Sequence, residues 1–458
     1  MTSSETAAAA AYRDWSGLPK ELLLITMAAM EVPELVRSGA ICKLWRSAFV
    51  IFRGLRLPST RHSTPCLMYA RQSDAAVFLY SPSTHTNYHM PLSAETASGV
   101  VGSAYGWLFT TDLAANPYLV NPLTGAQATL PPITTLEHVM GRRFVFSVDD
   151  DDGFRRRRPG RRGAIVYDVE FEGPNGENMQ SITARRAREW MYCRVAMSAS
   201  PSAGGGCVVL LLHMPYRELS FARPGDKQWT SLSGIWTVHN NYFKDVVHNP
   251  SDGLFYLLDS DWGRVRSLDL TGPSPIATML VVTPSRQLYS PQRLCYLVIT
   301  PRGDLLLVER LWRKSVTTLT GKDILNKPTV VPEEERVYDV STTLMKLSKL
   351  EDDQFVPQEN LSDSDVEVDY ALFLGYGGAA ICLAVEDYHP TIRGNCAYLT
   401  DDSDQTHSPP CKRLDLGIRD LGSSSSSRSL QKLSDVWRLH HPWLDNSPVP
   451  IWITPSLD

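Results

Sequence analysis

Residues 249–259 read NPSDGLFYLLD. Pro250 fixes its own φ and Gly253 admits a left-handed backbone, so the segment opens as a turn. Gly253–Leu258 then reads as a short apolar strand. Two other stretches repeat this order of turn, glycine and strand. SPSAGGGCVVLLL and TPRGDLLLVER carry their prolines at 201 and 301, which lie 49 and 51 residues from Pro250. Ser81-Pro82 and Asn121-Pro122 lie 40 residues apart. A period of about 40–50 residues is the size of one four-stranded propeller blade.

Outward from this repeat, residues 65–458 continue in the same manner. Runs rich in Val, Leu, Tyr and Phe alternate with Pro, Gly and Asn turns: Ala76–Tyr80, Trp107–Thr110, Phe144–Val148, Cys207–His213, Leu305–Glu309 and Ala371–Leu374. Evenly spaced short strands indicate an all-β sandwich, barrel or propeller. With the repeat, the expectation is a large all-β domain forming a β-propeller, and roughly 390 residues at that period make six to eight blades.

Residues 15–55 differ. Leu22, Leu23, Thr26, Met27 and Met30 form a helical stripe, with Pro19 in the first turn. Pro33-Glu34 open a second helix that Gly39 stops. Ile41, Trp45, Ala48, Phe49 and Phe52 give a third helix one clean apolar face. Three helices in so few residues bury too little surface to stand robustly alone, so apolar side chains left outside would serve an interface. A small helical cap on the β-domain is the alternative.

The helical segment, LPKELLLITMAAMEVPELVRSGAICKLWRSA, resembles an F-box: an LPxELL opening, a leucine-rich middle and a closing Cys42-Lys43-Leu44-Trp45-Arg46. The resemblance implies docking to a Skp-type adaptor and through it to a cullin. Carried over by position, Leu18, Pro19, Leu22, Leu23, Leu35, Val36, Ile41, Cys42 and Trp45 would form the docking surface. One departure is the order Ile25-Thr26, where such modules usually place a polar residue before an apolar one. Losing one buried aliphatic group would cost the interface roughly 1–3 kcal/mol. In the β-region, YLVNPLTGAQATLPP, LSFARPGDKQWTSL, FKDVVHNPSDGLFYLLD, ALFLGYGGAAICLAVEDY and PIWITPSL resemble the KIB-type β-propeller that plants attach to F-boxes. Together the resemblances imply a non-catalytic substrate-recognition subunit of a Skp–cullin–F-box ubiquitin ligase, whose propeller binds an unnamed target protein. Two alternatives stay open: a propeller that binds and inhibits a protein partner without the ligase, and a carbohydrate-acting or redox propeller enzyme.

Composition fits this reading. The 45 basic and 50 acidic side chains leave a formal net charge of −5, which gives no reason to expect nucleic-acid or membrane-surface binding. No run of about 20 apolar residues exists to span a membrane. The N-terminus lacks the pattern of a signal or transit peptide, so the expected location is cytoplasmic, nuclear or both. The eight cysteines, with no CxxC pair, read as free thiols in a reducing compartment.

Three insertions are expected to be disordered: 149–163, 351–369 and 402–428, besides residues 1–14. In the first, Asp149–Asp152 precede Arg155–Arg158 and Arg161-Arg162, a solvated loop or a short nuclear signal. The second carries LSDSDVEVD, with Ser362 and Ser364 as candidate phosphosites. Ser423–Ser427 reads as a flexible linker before a short helix over Leu430–Leu439 and a terminal strand over Pro450–Ile453.

Catalytic patterns are weak. Gly375-Tyr376-Gly377-Gly378-Ala379-Ala380 fits a dinucleotide fingerprint with Asp401 and Asp402 downstream. That fingerprint needs a helix after the glycines, whereas Ile381–Val385 reads as the second strand of a hairpin. There is no GxSxG, no HExxH and no paired metal spacing, and His440-His441 reads as surface. The expectation is therefore no cofactor, no metal and no catalytic residue.

Overall fold

The computed structural model describes residues 17–55, 63–71, 76–145, 163–173, 176–203, 206–235, 242–259, 264–281, 293–317, 337–352, 354–358, 361–363, 368–375, 380–388, 392–400, 411–413, 417–421, 431–432 and 450–457. It divides into a helical unit within residues 1–63 and a β-unit within residues 64–456.

The helical unit holds α1 (Lys20–Ala28), α2 (Val32–Ser38) and α3 (Lys43–Gly54). Pro19 caps α1 in an extended conformation, Gly39 caps α2, and Cys42 begins α3. Leu23 and Met27 of α1, Leu35 of α2, and Trp45, Ala48 and Phe52 of α3 fill one core.

In the β-unit the described strands group into seven sheets. Thr86–Ser93, Ala76–Ser81 and Cys66–Arg71 lie side by side with the C-terminal strand Ile451–Ile453. Four-stranded antiparallel sheets follow over 102–129, 192–231 and 243–281, each in simple meander order. Residues 139–183 form a three-stranded sheet. Two larger sheets are built around Leu305–Thr317 and Val368–Leu374. Trp107–Thr111 and Val209–His213 are buried along their whole length. Covered on both faces, such strands are continuous apolar runs rather than alternating ones.

One strand from each of six sheets touches the next in turn: Ile451–Ile453 with Gly102–Ala104, then Tyr192–Met197, Phe243–His248, Arg293–Ile299 and Ile381–Ala384. The contact from Gly102–Ala104 to Tyr192–Met197 passes over the three-stranded sheet. The C-terminal strand pairs antiparallel with Cys66–Met68, with Trp452 opposite Leu67 and Ile451 opposite Met68. The terminal strand expected over Pro450–Ile453 thus completes the first sheet. Trp452 also meets the last sheet, at 4.9 Å from the Phe373 ring in an edge-on arrangement.

The repeated turns work by one device. The Asn121 side-chain oxygen accepts from the amides of Leu123 and Thr124, and Gly125 follows at φ +72°. The Asn249 oxygen accepts from the amide of Ser251, and Gly253 follows at φ +78°. Thr300 substitutes a hydroxyl, accepting from Asp304, with Gly303 at φ +91°. The short side chain shapes the turn and the glycine absorbs the left-handed residue. Each asparagine also reaches sideways. Asn121 Nδ2 donates to the Ser456 carbonyl at 3.0 Å, and Asn249 Nδ2 donates to the Gly303 carbonyl at 3.0 Å. The sequence repeat thus records the stitching between neighbouring sheets. Because Asn249 is buried, Asn249→Ala should lower the unfolding free energy by about 1–3 kcal/mol, the cost of leaving buried partners unmade. A urea midpoint equal to wild type would refute this role.

Two expected disordered insertions carry strands. Within 351–369, Gln354–Gln358 pairs with Leu347–Glu351, turning at Asp352, which sits at φ +43°. Asp352 marks a hairpin turn, since Asp tolerates that conformation. Ser362-Asp363 also pairs, with Val368-Asp369. Within 402–428, Cys411–Arg413 runs parallel to Tyr338–Val340, and Gly417–Asp420 pairs with Cys396–Leu399. One apolar residue, Ile418, packed among Tyr398 and Phe373, outweighs the polar composition around it. The basic run 155–162, Ser364, the serine linker, His440-His441 and most of 430–439 lie outside the described residues.

Candidate functional site

The nine residues expected to dock an adaptor separate into three groups. Leu23, Leu35 and Trp45 are buried in the helical unit's core. In this unit the three face inward, where they pack with Met27, Ala48 and Phe52 to hold the helices together. Pro19, Leu22 and Ile41 are exposed, with Leu22 at 49% and Ile41 at 61%. Leu18, Val36 and Cys42 are half-buried. Ile25, absent from the expected set, is 66% exposed. It lies one turn from Leu22, so α1 offers the pair on one side. Thr26 is also exposed, and its hydroxyl donates to the Leu22 carbonyl at 2.8 Å. The inverted Ile25-Thr26 order therefore presents an aliphatic residue and a satisfied hydroxyl.

In the β-unit, polar side chains link first strands. Asp245 on Phe243–His248 is buried. It accepts from the Leu297 amide of the next sheet at 2.7 Å and lies 3.7 Å from Arg194 of the preceding one. Lys244 Nζ donates to the Arg293 carbonyl, and Arg293 pairs with Glu309 at 2.9 Å.

A second cluster joins the three-stranded sheet to its neighbour. His138 enters the strand Val139–Val145 at φ +69°. Its Nε2 lies 3.0 Å from Glu218 and its Nδ1 lies 3.6 Å from Glu170. The hydrogen bond to Glu218 raises its pKa. Glu137 accepts from the hydroxyls of Ser231 and Ser233. Tyr216 meets the imidazole edge-on at 5.0 Å. Sequence reading missed this cluster because the Glu137-His138 turn meets Glu170 and Glu218 from strands far along the chain.

His213 behaves oppositely. Fully buried, it sits between the Met214 carbonyl and the Ser220 hydroxyl, each 2.9 Å away. Burial pushes its pKa below 6.5. The unfolded state then binds more protons as pH falls below 6.5, and stability contributed by neutral His213 is lost until the folded pKa is passed. The loss is about 1.4 kcal/mol for each unit separating the two values. Urea midpoints at pH 7.5 and 5.5 should therefore diverge for wild type and draw together in His213→Gln. Equal divergence in both would remove His213 as the source. Burial also holds the thiols of Cys207, Cys295 and Cys396 up at about 11, so they are protonated at neutral pH.

After the glycine-rich segment the chain continues as a strand, as the hairpin reading expected. Tyr370–Phe373 pairs antiparallel with Ile381–Ala384, a hairpin, while residues 376–379 and Asp401-Asp402 lie outside the described residues.

A three-helix unit followed by a β-unit of repeated antiparallel sheets defines the class, a β-propeller-type protein with a helical N-terminal module. The KIB1-4 beta-propeller family matches residues 79–420, and the chain belongs to that family. Curated relatives come from Arabidopsis thaliana. An F-box protein is 28% identical over 30% of this chain and 35% of its own length. An F-box/kelch-repeat protein is 31% identical over 26% of this chain and 32% of its own. A putative F-box protein is 22% identical over 59% of this chain and 60% of its own. The chain thus spans about a third to three fifths of the relatives it matches. Among the described residues, no helix is long and apolar enough to cross a membrane.

Proposed function

We propose that the chain is the substrate-recognition subunit of a Skp–cullin–F-box ubiquitin ligase, its helical unit docking a Skp-type adaptor and its β-unit binding a target protein. One observation carries the reading: Leu22, Ile25 and Ile41 stay exposed on a helical unit whose core is already filled by Leu23, Met27, Leu35, Trp45, Ala48 and Phe52. Large apolar side chains kept outside a satisfied core suit a partner surface. The LP opening and CKLWR close, and the F-box names of the relatives, supply the partner's class. The protein's role is recognition, not chemistry, in the cytoplasm or nucleus. For the β-unit we read six blades, one for each strand in the contact succession, with the three-stranded sheet 139–183 as an insertion.

The test is co-purification. Tagged full-length chain, expressed with a Skp-type adaptor and a cullin, should recover both in equal proportion, and a third protein recovered with them should gain ubiquitin in their presence. Recovery of neither adaptor nor cullin by a folded chain would overturn the reading. The second reading, a propeller that binds and inhibits a partner independently of the ligase, rests on Thr26 standing exposed where the F-box pattern has an aliphatic residue. Adaptor binding decides between them.

A further inference from the structure

We propose that Glu137, His138 and Glu218 bind one divalent cation of the zinc class, with Glu170 orienting the imidazole. The three residues each offer a ligand atom, and these atoms lie within 4.8 Å of one another. The donor set is one imidazole nitrogen and two carboxylates, chemistry that suits zinc and neighbouring transition ions better than the all-oxygen preference of calcium.

The surroundings are those of a metal-ligating histidine. His138 Nδ1 faces Glu170 Oε2 at 3.6 Å, which leaves Nε2 as the ligand atom. A carboxylate on the second ring nitrogen is the usual partner that fixes tautomer and ring orientation in such sites. Tyr216 holds the ring from its edge. The carboxylate of Glu137 is oriented by Ser231 and Ser233, which come from the neighbouring sheet's end. Within the group, three carboxylates meet one imidazole, a surplus of negative charge that a dication balances better than a single proton. On ligation the cation takes the place of the proton shared between Nε2 and Glu218, and that proton leaves to solvent. Because Glu137-His138 precede one sheet and Glu218 belongs to the next, the ion would fasten the three-stranded insertion to the sheet 192–231.

The test uses full-length chain freed of metal with a chelator and dialysed. Zinc titrated calorimetrically should bind with one equivalent, more weakly at pH 6 than at pH 7.5, and calcium should not displace it. Cobalt(II) should give visible absorption at the same stoichiometry. His138→Gln and Glu218→Gln should each lose that equivalent, and Glu170→Gln should weaken it about 10–100-fold. Glu95→Gln, elsewhere on the surface, should bind as wild type. Failure of folded wild-type chain to take up zinc at one equivalent would overturn the proposal, whatever the variants do. So would an equivalent retained by both His138→Gln and Glu218→Gln, which would place the ion elsewhere.

Discussion

A chain ending at Val449 is expected to lose its folded β-unit. The segment removed carries Ile451, Trp452 and Ile453, each essentially inaccessible to solvent. At about 1.5–3 kcal/mol for each large apolar side chain buried, their loss removes roughly 5–9 kcal/mol. Whole-protein stability is about 5–15 kcal/mol, so most or all of it is at stake. Hydrogen bonds go too. Ser103 donates to the Trp452 carbonyl at 2.7 Å, and Asn121 loses its tie to Ser456. Cys66–Arg71 becomes an unpaired edge, which invites aggregation. Trp452→Ala, which keeps the backbone pairing, should cost about 3–5 kcal/mol. Circular dichroism melting and size-exclusion profiles of the two variants against wild type give the answer. A truncated chain that melts with the full one would make the tail an appendage.

The second large effect is on adaptor binding. Leu22→Asp combined with Ile41→Asp should weaken adaptor affinity by roughly 100-fold or more, since apolar anchors at an interface each carry about 2 kcal/mol or above. Both side chains already meet solvent, so the helical signal and the melting curve should stay at wild-type values. Trp45→Ala should also lose binding, for a different reason: removing a core aromatic costs about 3–5 kcal/mol and the helical unit unfolds. Leu23→Asp acts the same way, by burying a charge. The surface double variant is therefore the informative one. Full adaptor affinity in that variant, with fold intact, would sink the F-box docking assignment.

The contrast between Leu22 and Leu23 shows where sequence reading ran out. A helical stripe tells which positions are apolar. It does not tell which of two adjacent apolar residues faces the unit's own core, because that depends on where the other two helices lie. The turn repeat was legible for the opposite reason. Asn121, Asn249 and Thr300 act on amides a few residues ahead, and their glycines answer a local backbone demand. The lateral donation from Asn249 to Gly303 was not legible, since nothing local encodes a neighbour. The strand over Pro450–Ile453 was legible from its own apolar trio, whereas its pairing with Cys66–Met68 depends on residues far along the chain. The strand Gln354–Gln358 was hidden by the acidic residues flanking it. The group around His138 was hidden by distance along the chain: the Glu137-His138 turn meets Glu170 and Glu218, which sit on two later strands.

Pairing of Cys66–Met68 with Ile451–Ile453 has a consequence for synthesis. On the ribosome the first sheet waits for its fourth strand until residue 453 has been made, about 20–80 s after residue 66 at roughly 5–20 residues per second. Through that interval the edge at Cys66–Met68 is open to other chains, while the helical unit, whose contacts are local, has everything it needs to fold. Messages truncated before codon 451 would then yield a product with a finished helical unit and an unfinished β-unit.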